Sequence, residues 1–313
     1  MATSGNIDFS MTRTDFLEWS LRTAQLVGIE QPIPANLVSH ASLSLNMLLA
    51  TWEKRSRHIF TEQSATVFFA ADQSVYSLGT TGDHAADDVV ETTLGAAEAS
   101  GQTVLTLTST TGMTAADYIG VLLDDNSLHW TTIVSVDSAT QVTITLALTD
   151  DAASGNKVYT YTTRLAKPLR LSTVQYRDSS DTDVMVSIID RVDYVNTSDK
   201  TSTSTSVSNV YYDPKISGLG KLYVYPTPED STTVLKISYQ RSLQAFDAAG
   251  NTADLPKNWY LALAYGLAAL VCPAVGKDKK AALLAAESER YYRLASFGDH
   301  DEGSVFFLPA DGY

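Results

Sequence analysis

The sequence predicts an α+β protein, with helices at both chain ends and a long antiparallel β region between them. Three observations carry this. Near each end, apolar residues recur at steps of three and four. From Thr66 onward the apolar period changes to two. Strand-like segments then follow one another about every ten residues with turn residues between, the spacing of antiparallel sandwiches. A chain of 313 residues, 44% hydrophobic and 19% charged, is globular in composition and long enough for one large or two ordinary domains.

In chain order, Thr14-Asp15 offers an N-cap, and Leu17, Leu21, Ala24 and Val27 follow at helical spacing over 14–28, where Gly28 stops the pattern. After Pro32 and Pro34, a second helix over 35–57 carries Leu37, Ala41, Leu45, Leu48 and Trp52 on one stripe. It ends in Lys54, Arg55 and Arg57, the sign that suits a helix C-terminus. Val67-Phe-Phe and Val75-Tyr-Ser-Leu around Ala71-Asp72-Gln73 read as a hairpin, opening a β region over 66–78 and 169–241. Thr197 to Ser208, nearly all Ser and Thr, reads as an exposed loop. Pro256 suits a first turn, and a helix over 256–273 has Trp259, Leu263, Leu267 and Leu270 as its stripe. The last helix, over 278–297, lines up Leu284, Ser288, Tyr291 and Ala295, with Gly298 just beyond. The uncharged run from Trp259 to Val275 is short for a membrane span and contains Pro273, so a buried helix explains it better and no membrane partner is expected.

The clearest boundary encloses 83–161. Eleven Asp and Glu stand there against one basic residue, Lys157, a formal charge of −10 out of −14 for the chain. This marks an inserted acidic β domain, with 1–82 and 162–313 forming the core around it. Without it, Tyr76-Ser-Leu would meet Thr162-Thr-Arg as though one sheet had been interrupted.

Residues that would carry chemistry are not arranged to do so. A net charge of −14 excludes a general grip on phosphate backbones, which begins with Lys and Arg. No two of His40, His58, His84, His129 and His300 have a helix-face ligand spacing and none lies near Cys272, so no metal is expected. His129, after Asp124-Asp125-Asn126, reads as the strand following a hairpin turn. Gly218-Leu-Gly-Lys221 lacks both the first glycine and the Ser/Thr of a phosphate loop. Asp181, Asp183, Asp247 and Asp254 read as solvated loop carboxylates, and Cys272, in an apolar run, as core filler. No catalytic residue and no cofactor is expected. Ser/Thr-rich strands with sixteen tyrosines leave a sugar-binding surface as the alternative.

Two stretches carry a resemblance. One runs from Ala41-Ser-Leu-Ser-Leu through Trp52 to Phe68-Phe-Ala-Ala-Asp-Gln-Ser-Val-Tyr-Ser-Leu78. The other joins Leu222-Tyr-Val-Tyr-Pro-Thr-Pro228, Leu235-Lys-Ile-Ser-Tyr-Gln-Arg241, Asp254-Leu-Pro-Lys-Asn-Trp259 and Leu261-Ala-Leu-Ala-Tyr-Gly-Leu-Ala. Together they resemble the head-to-tail adaptors of short-tailed phages (podoviruses), the tail-accessory or tubular-A class. The resemblance implies a non-enzymatic virion protein of the tail or neck, assembled in the host cytoplasm. It implies a ring, usually of twelve subunits, with the helices of both ends bundled, the portal protein above and a nozzle or tail fibre protein below. DNA would pass through the channel without specific binding, held until ejection. Subunit packing would fall to Trp259, Leu263, Gly266, Leu267 and Leu270. In Ser304-Val-Phe-Phe-Leu-Pro-Ala310, the residues Val305, Phe306, Phe307 and Leu308 would anchor to the portal, the alternative being that the two Phe fold back on the subunit's own bundle. The alternative function is a host-recognition or glycan-binding tail component.

Overall fold

A computed structural model describes residues 9–55 and 59–299. The chain is α+β and divides into two compact units, one from Met1–Thr61 with Ser242–Tyr313 and one from Glu62–Arg241.

The first unit is helical. Helix α1 (Arg13–Thr23) starts two residues earlier than its sequence signal, because Thr12, not Thr14, is its N-cap. Thr12 and Asp15 form a reciprocal capping box. The helix stops at Thr23, well short of Gly28. Gln25 adopts a left-handed φ of 54°, and the N–H groups of Gln25 and Leu26 return to the carbonyls of Arg22 and Leu21. This is a helix stop of the kind glycine usually makes, built here without one. Helix α2 (Ala35–Arg55) buries Ala41, Leu45, Leu49 and Trp52. Helix α4 (Tyr260–Val271) is flanked by 3-10 turns at Lys257–Trp259 and Cys272–Val275, so the sequence's single helix over 256–273 is regular only in its middle. Gly276, at φ 72°, turns the chain into α5 (Asp278–Phe297).

Helices α1, α2 and α5 all pack on α4. The stretch Lys257–Val275 is apolar and long enough to cross a membrane by length and composition, and 56% of its most apolar window is buried within the chain. Cys272 is fully buried beside Ala24, Ala268 and Leu284, as a core filler should be. Ser20 and Ser288 donate to the α4 carbonyls of Ala264 and Ala262, which lets small polar residues sit at the helix contacts without an unsatisfied hydroxyl.

The second unit is β-rich. A five-stranded sheet runs in the order Asp183–Met185, Arg170–Arg177, Val234–Gln240, Glu62–Phe68, Ala85–Ala86, all antiparallel. A four-stranded sheet runs Ser187–Ile188, Asn209–Asp213, Gly220–Tyr225, Val75–Leu78. Val67, Val174, Leu235 and Ile237 of the first sheet share one core with Leu78, Val210, Leu222 and Val224 of the second. A six-stranded antiparallel sheet, ordered Val90–Thr93, Lys157–Tyr161, Tyr118–Leu122, Leu128–Ser138, Gln141–Ile144, Val104–Thr106, has its own core of Leu105, Ile119, Val121, Ile133, Val142 and Val158.

Three sequence expectations are corrected here. Glu62–Phe68 and Val75–Leu78 are not a hairpin. The first pairs with Val234–Gln240 and the second with Gly220–Tyr225, in different sheets. Asp72, at φ 61°, turns the chain between them, and the Tyr76 hydroxyl donates to the Ala70 carbonyl, 3.3 Å away. Nor does the acidic stretch part Tyr76-Ser-Leu from Thr162-Thr-Arg within one sheet: Val75–Leu78 lies in the four-stranded sheet, while Ala85–Ala86 just before the six-stranded sheet and Arg170–Arg177 after it both belong to the five-stranded one. The Ser/Thr run is also more than a loop. Thr203–Ser204 pairs in parallel with Thr227–Pro228, and Val207 is buried. The short helix α3 (Arg191–Asn196), capped by Asp190, had no apolar stripe to announce it and buries none of its residues.

Candidate functional site

Trp259, Leu263 and Leu267 lie in the helical unit's own core. Trp259 packs on Trp52 and Tyr292, with ring centroids 5.9 and 5.0 Å away. At Gly266, side chains of α2 and α5 reach the α4 backbone: a Cβ there would stand 2.8 Å from Leu48 Cδ2 and 2.9 Å from Ser288 Oγ. Four of the five residues expected at subunit contacts are therefore occupied within the chain, and Leu270, 48% exposed, is the one left outward. Val305, Phe306, Phe307 and Leu308 lie outside the described residues.

Other surfaces of this unit are open and apolar. Leu43 and Met47 project from α2, and Leu283, Leu294 and Phe297 from α5. A groove of about 1010 Å³ between α1 and α4 is lined by Phe9, Met11, Trp19, Ile29, Tyr260 and Leu261. Its carboxylates are already engaged. Thr12 holds Asp15 below the usual carboxylate range, and Glu18 pairs with Arg22 at 3.1 Å. No acid is poised there against a base.

In the β unit, an aromatic joint ties the acidic six-stranded sheet to the five-stranded one. Trp130 lies opposite Gly120, whose missing Cβ gives the indole its place; an added one would stand 2.7 Å from the ring. The indole stacks on His84 at 4.0 Å and 6° and meets Phe68 edge-on at 4.9 Å. Tyr159 closes on the other side of Phe68. Arg164 donates to the Gly82 carbonyl at 2.6 Å and lies over the Tyr118 ring. One guanidinium nitrogen stands 3.5 Å from His84 Nε2. A guanidinium only donates, so Nε2 accepts and Nδ1–H points at Tyr161 Oη, 2.5 Å away. Burial, and then the Arg164 charge, depress the His84 pKa to about 4. Burial also raises the Tyr161 hydroxyl to about 12. The imidazole and the Tyr161 hydroxyl are therefore both uncharged at pH 7, beside the Arg164 cation.

Lys157, the lone base of the acidic stretch, stands 2.5 Å from Asp181 and 3.4 Å from Glu91, so it joins the two sheets by charge as well. His129 follows a hairpin turn, as its sequence context indicated: Leu122 pairs with Leu128, and Asn126 takes a φ of 65°. Among the described residues no group of three or more His, Cys, Asp and Glu could hold a metal ion. Sequence reasoning did not find the joint. Phe68, His84, Trp130 and Arg164 are each separated from the next by 16 residues or more, and no local spacing links them.

A family model described as SU10 adaptor protein matches residues 115–305, more than half of the chain. The chain belongs to the SU10 adaptor family. The resemblance to phage head-to-tail adaptors is thus borne out at the level of family, and the protein is a structural adaptor, a virion component of a phage. A search of curated proteins found no match. The matched region begins within the six-stranded sheet and runs through α4 and α5. In the adaptor, Trp130, Tyr161 and Arg164 of the joint lie inside it, and Phe68, His84, α1 and α2 lie before it.

Proposed function

We propose that this adaptor forms a ring, of twelve copies, that joins the portal of a DNA-filled head to the tail of a short-tailed phage. The family match over 115–305 carries this reading. The ring sits in the neck of the virion, is assembled in the host cytoplasm, binds the portal above and a nozzle or tail fibre protein below, and conducts the genome during ejection. A charge of −14 supports it, because DNA slides past an acidic wall without adhering. In this reading 83–161 is an inserted acidic module kept outward or toward the channel, and 305–308 anchors to the portal.

Electron microscopy of the purified chain with its portal is the test. A twelve-fold ring capping the portal is expected, and compact trimers with no portal-bound ring would sink the proposal. Deleting 299–313 should abolish portal-bound rings; recovery at normal affinity would remove the tail from the account.

One observation favours the glycan-binding reading. Tyr194, Tyr211 and Tyr223 stack on the β unit with centroids 5.0–5.8 Å apart, a platform of the kind sugars lie on. Calorimetric binding of host glycan that Tyr223→Ala abolishes would support it over the ring.

A further inference from the structure

Helix α2 has two faces, and neither is a solvent face. The inner one is core. The outer one follows the steps His40, Leu43, Met47, Ala50 and Lys54, with Leu43 and Met47 63% and 61% exposed. From Ala35 to Trp52 there is no Asp, Glu, Lys or Arg. Its hydroxyls are spent inward: Ser39, Ser42, Ser44 and Thr51 each donate to the carbonyl four residues back, at 2.8–3.1 Å. A solvated helix normally shows charge on the side away from its core. About 27 Å of uncharged helix, at 1.5 Å per residue, is a surface suited to packing.

Helix α5 is built alike. Behind its core residues Leu284, Tyr292 and Ala295, its outer face runs through Ala282, Leu283, Ala286, Leu294 and Phe297, and its charges there are Arg290 and Arg293, which pair along the helix with Glu287 at 3.3 Å and Glu289 at 2.9 Å. Leu283, Leu294 and Phe297 are 62–83% exposed.

We infer that the outer face of α2 in one copy packs against the outer face of α5 in the next copy of this chain. Charge selects a second copy as the occupant and selects this pairing. A chain of −14 repels itself wherever carboxylates meet, and the outer face of α2 is free of them. Pairing α5 with α5 would bring Glu287 and Glu289 up against the same carboxylates of the other copy, whereas α2 brings none over 35–52. Against uncharged α2 the stems of Arg290 and Arg293 can cover apolar surface while the guanidinium groups reach the rim.

Area supports repetition. Two helix faces about 30 Å long and 10 Å wide bury about 600 Å² in all, short of the about 1,200 Å² of a stable pair. A copy using both faces in a closed cycle doubles its share, so the contact is head-to-tail and holds when the ring closes. The inference rests on the ring proposed above and names its joint.

The test is analytical ultracentrifugation of the full chain at about 0.1 mM, where joints with dissociation constants of 0.1–1 mM are populated. Wild type should show monomer and closed oligomer with no dominant dimer. Met47→Asp and Leu294→Lys, both at exposed positions, should each leave only monomer with unchanged circular dichroism. Mixing the two variants should restore oligomer, because each supplies the face the other lacks and the altered faces attract. Strictly monomeric wild type, oligomer that survives either variant, or a mixture that stays monomeric overturns the inference. Rings on the portal that form equally with both variants would remove this joint and leave the ring standing; wild type forming no ring on the portal would remove the ring itself.

Discussion

The outer face of α2 and the acidic six-stranded sheet are opposite solutions to being on a surface. One carries no full charge over 35–52. The other, over 90–161, carries eight carboxylates against one lysine, half of the chain's net negative charge, around a core of its own. The difference separates two jobs. A surface meant to meet its own kind must lose its carboxylates and satisfy its hydroxyls internally. A surface meant to stay in water, or beside DNA without holding it, keeps its charge. The single lysine of the acidic stretch confirms the pattern: it is spent on the junction, between Glu91 and Asp181.

The sharpest way to break the comparison is from inside the helical unit. Trp259→Ala removes a side chain that is 1% exposed and packed by Trp52 and Tyr292. It should cost about 3–5 kcal/mol. Denaturant unfolding followed at 222 nm reads this, with the β unit's signal retained; loss below 1 kcal/mol would mean the core does not depend on α4.

Phe68→Ala tests the joint. It empties the site between Trp130 and Tyr159 and should cost about 3 kcal/mol. Hydrogen exchange should accelerate at 85–93 and 157–165 while the strand pairs Tyr118–Leu122 with Leu128–Ser138 stay protected. Uniform acceleration through 90–161 would show that the acidic sheet cannot hold its own core.

The third test is pH. His84 folds with a pKa of about 4 against an ordinary 6.5. Folded protein therefore binds fewer protons than unfolded between those values. The stability His84 contributes is fully present above about 6.5 and falls as pH drops toward 4. The imidazole is partly exposed, so the expected loss is about 1–2 kcal/mol. His84→Asn should remove that slope. Carboxylates held below their usual range, such as Asp181 beside Lys157, lose their contribution only at lower pH and so do not mimic it.

The smallest effect belongs to Lys157→Met. Asp181 is 61% exposed, so the pair should be worth only a few tenths of a kcal/mol, fading with added salt. A loss of 2 kcal/mol would mean charge, not aromatic packing, holds the acidic sheet.

Much of the fold was legible from local pattern. Helical stripes located α2, α4 and α5, because Ala41, Leu45 and Trp52, or Leu284 and Ala295, face one way at 3.6 residues per turn. Folding nevertheless buries Leu49 and Tyr292 where the stripes had Leu48 and Tyr291, which are only half-buried. Most strands announced themselves by period two. The pairing of those strands did not. Val75–Leu78 alternates as a hairpin partner of Glu62–Phe68 would, yet it joins another sheet, because alternation reports which face is buried and says nothing of the neighbour. The α1 stop at Gln25 was missed because no glycine marked it.

By itself, then, the sequence determined composition, charge segregation and the kind of element at most positions, all properties of neighbours along the chain. Tertiary structure decided which apolar residues are spent. Trp259, Leu263 and Leu267 look like contact residues on a helical wheel, and folding buries them in the chain's own core while leaving Leu43, Met47, Leu294 and Phe297 outside. It also brought His84 to Trp130. Burial and desolvation depend on what comes from far along the chain, and a stripe of apolar residues is the same whether its partner is the chain itself or another copy.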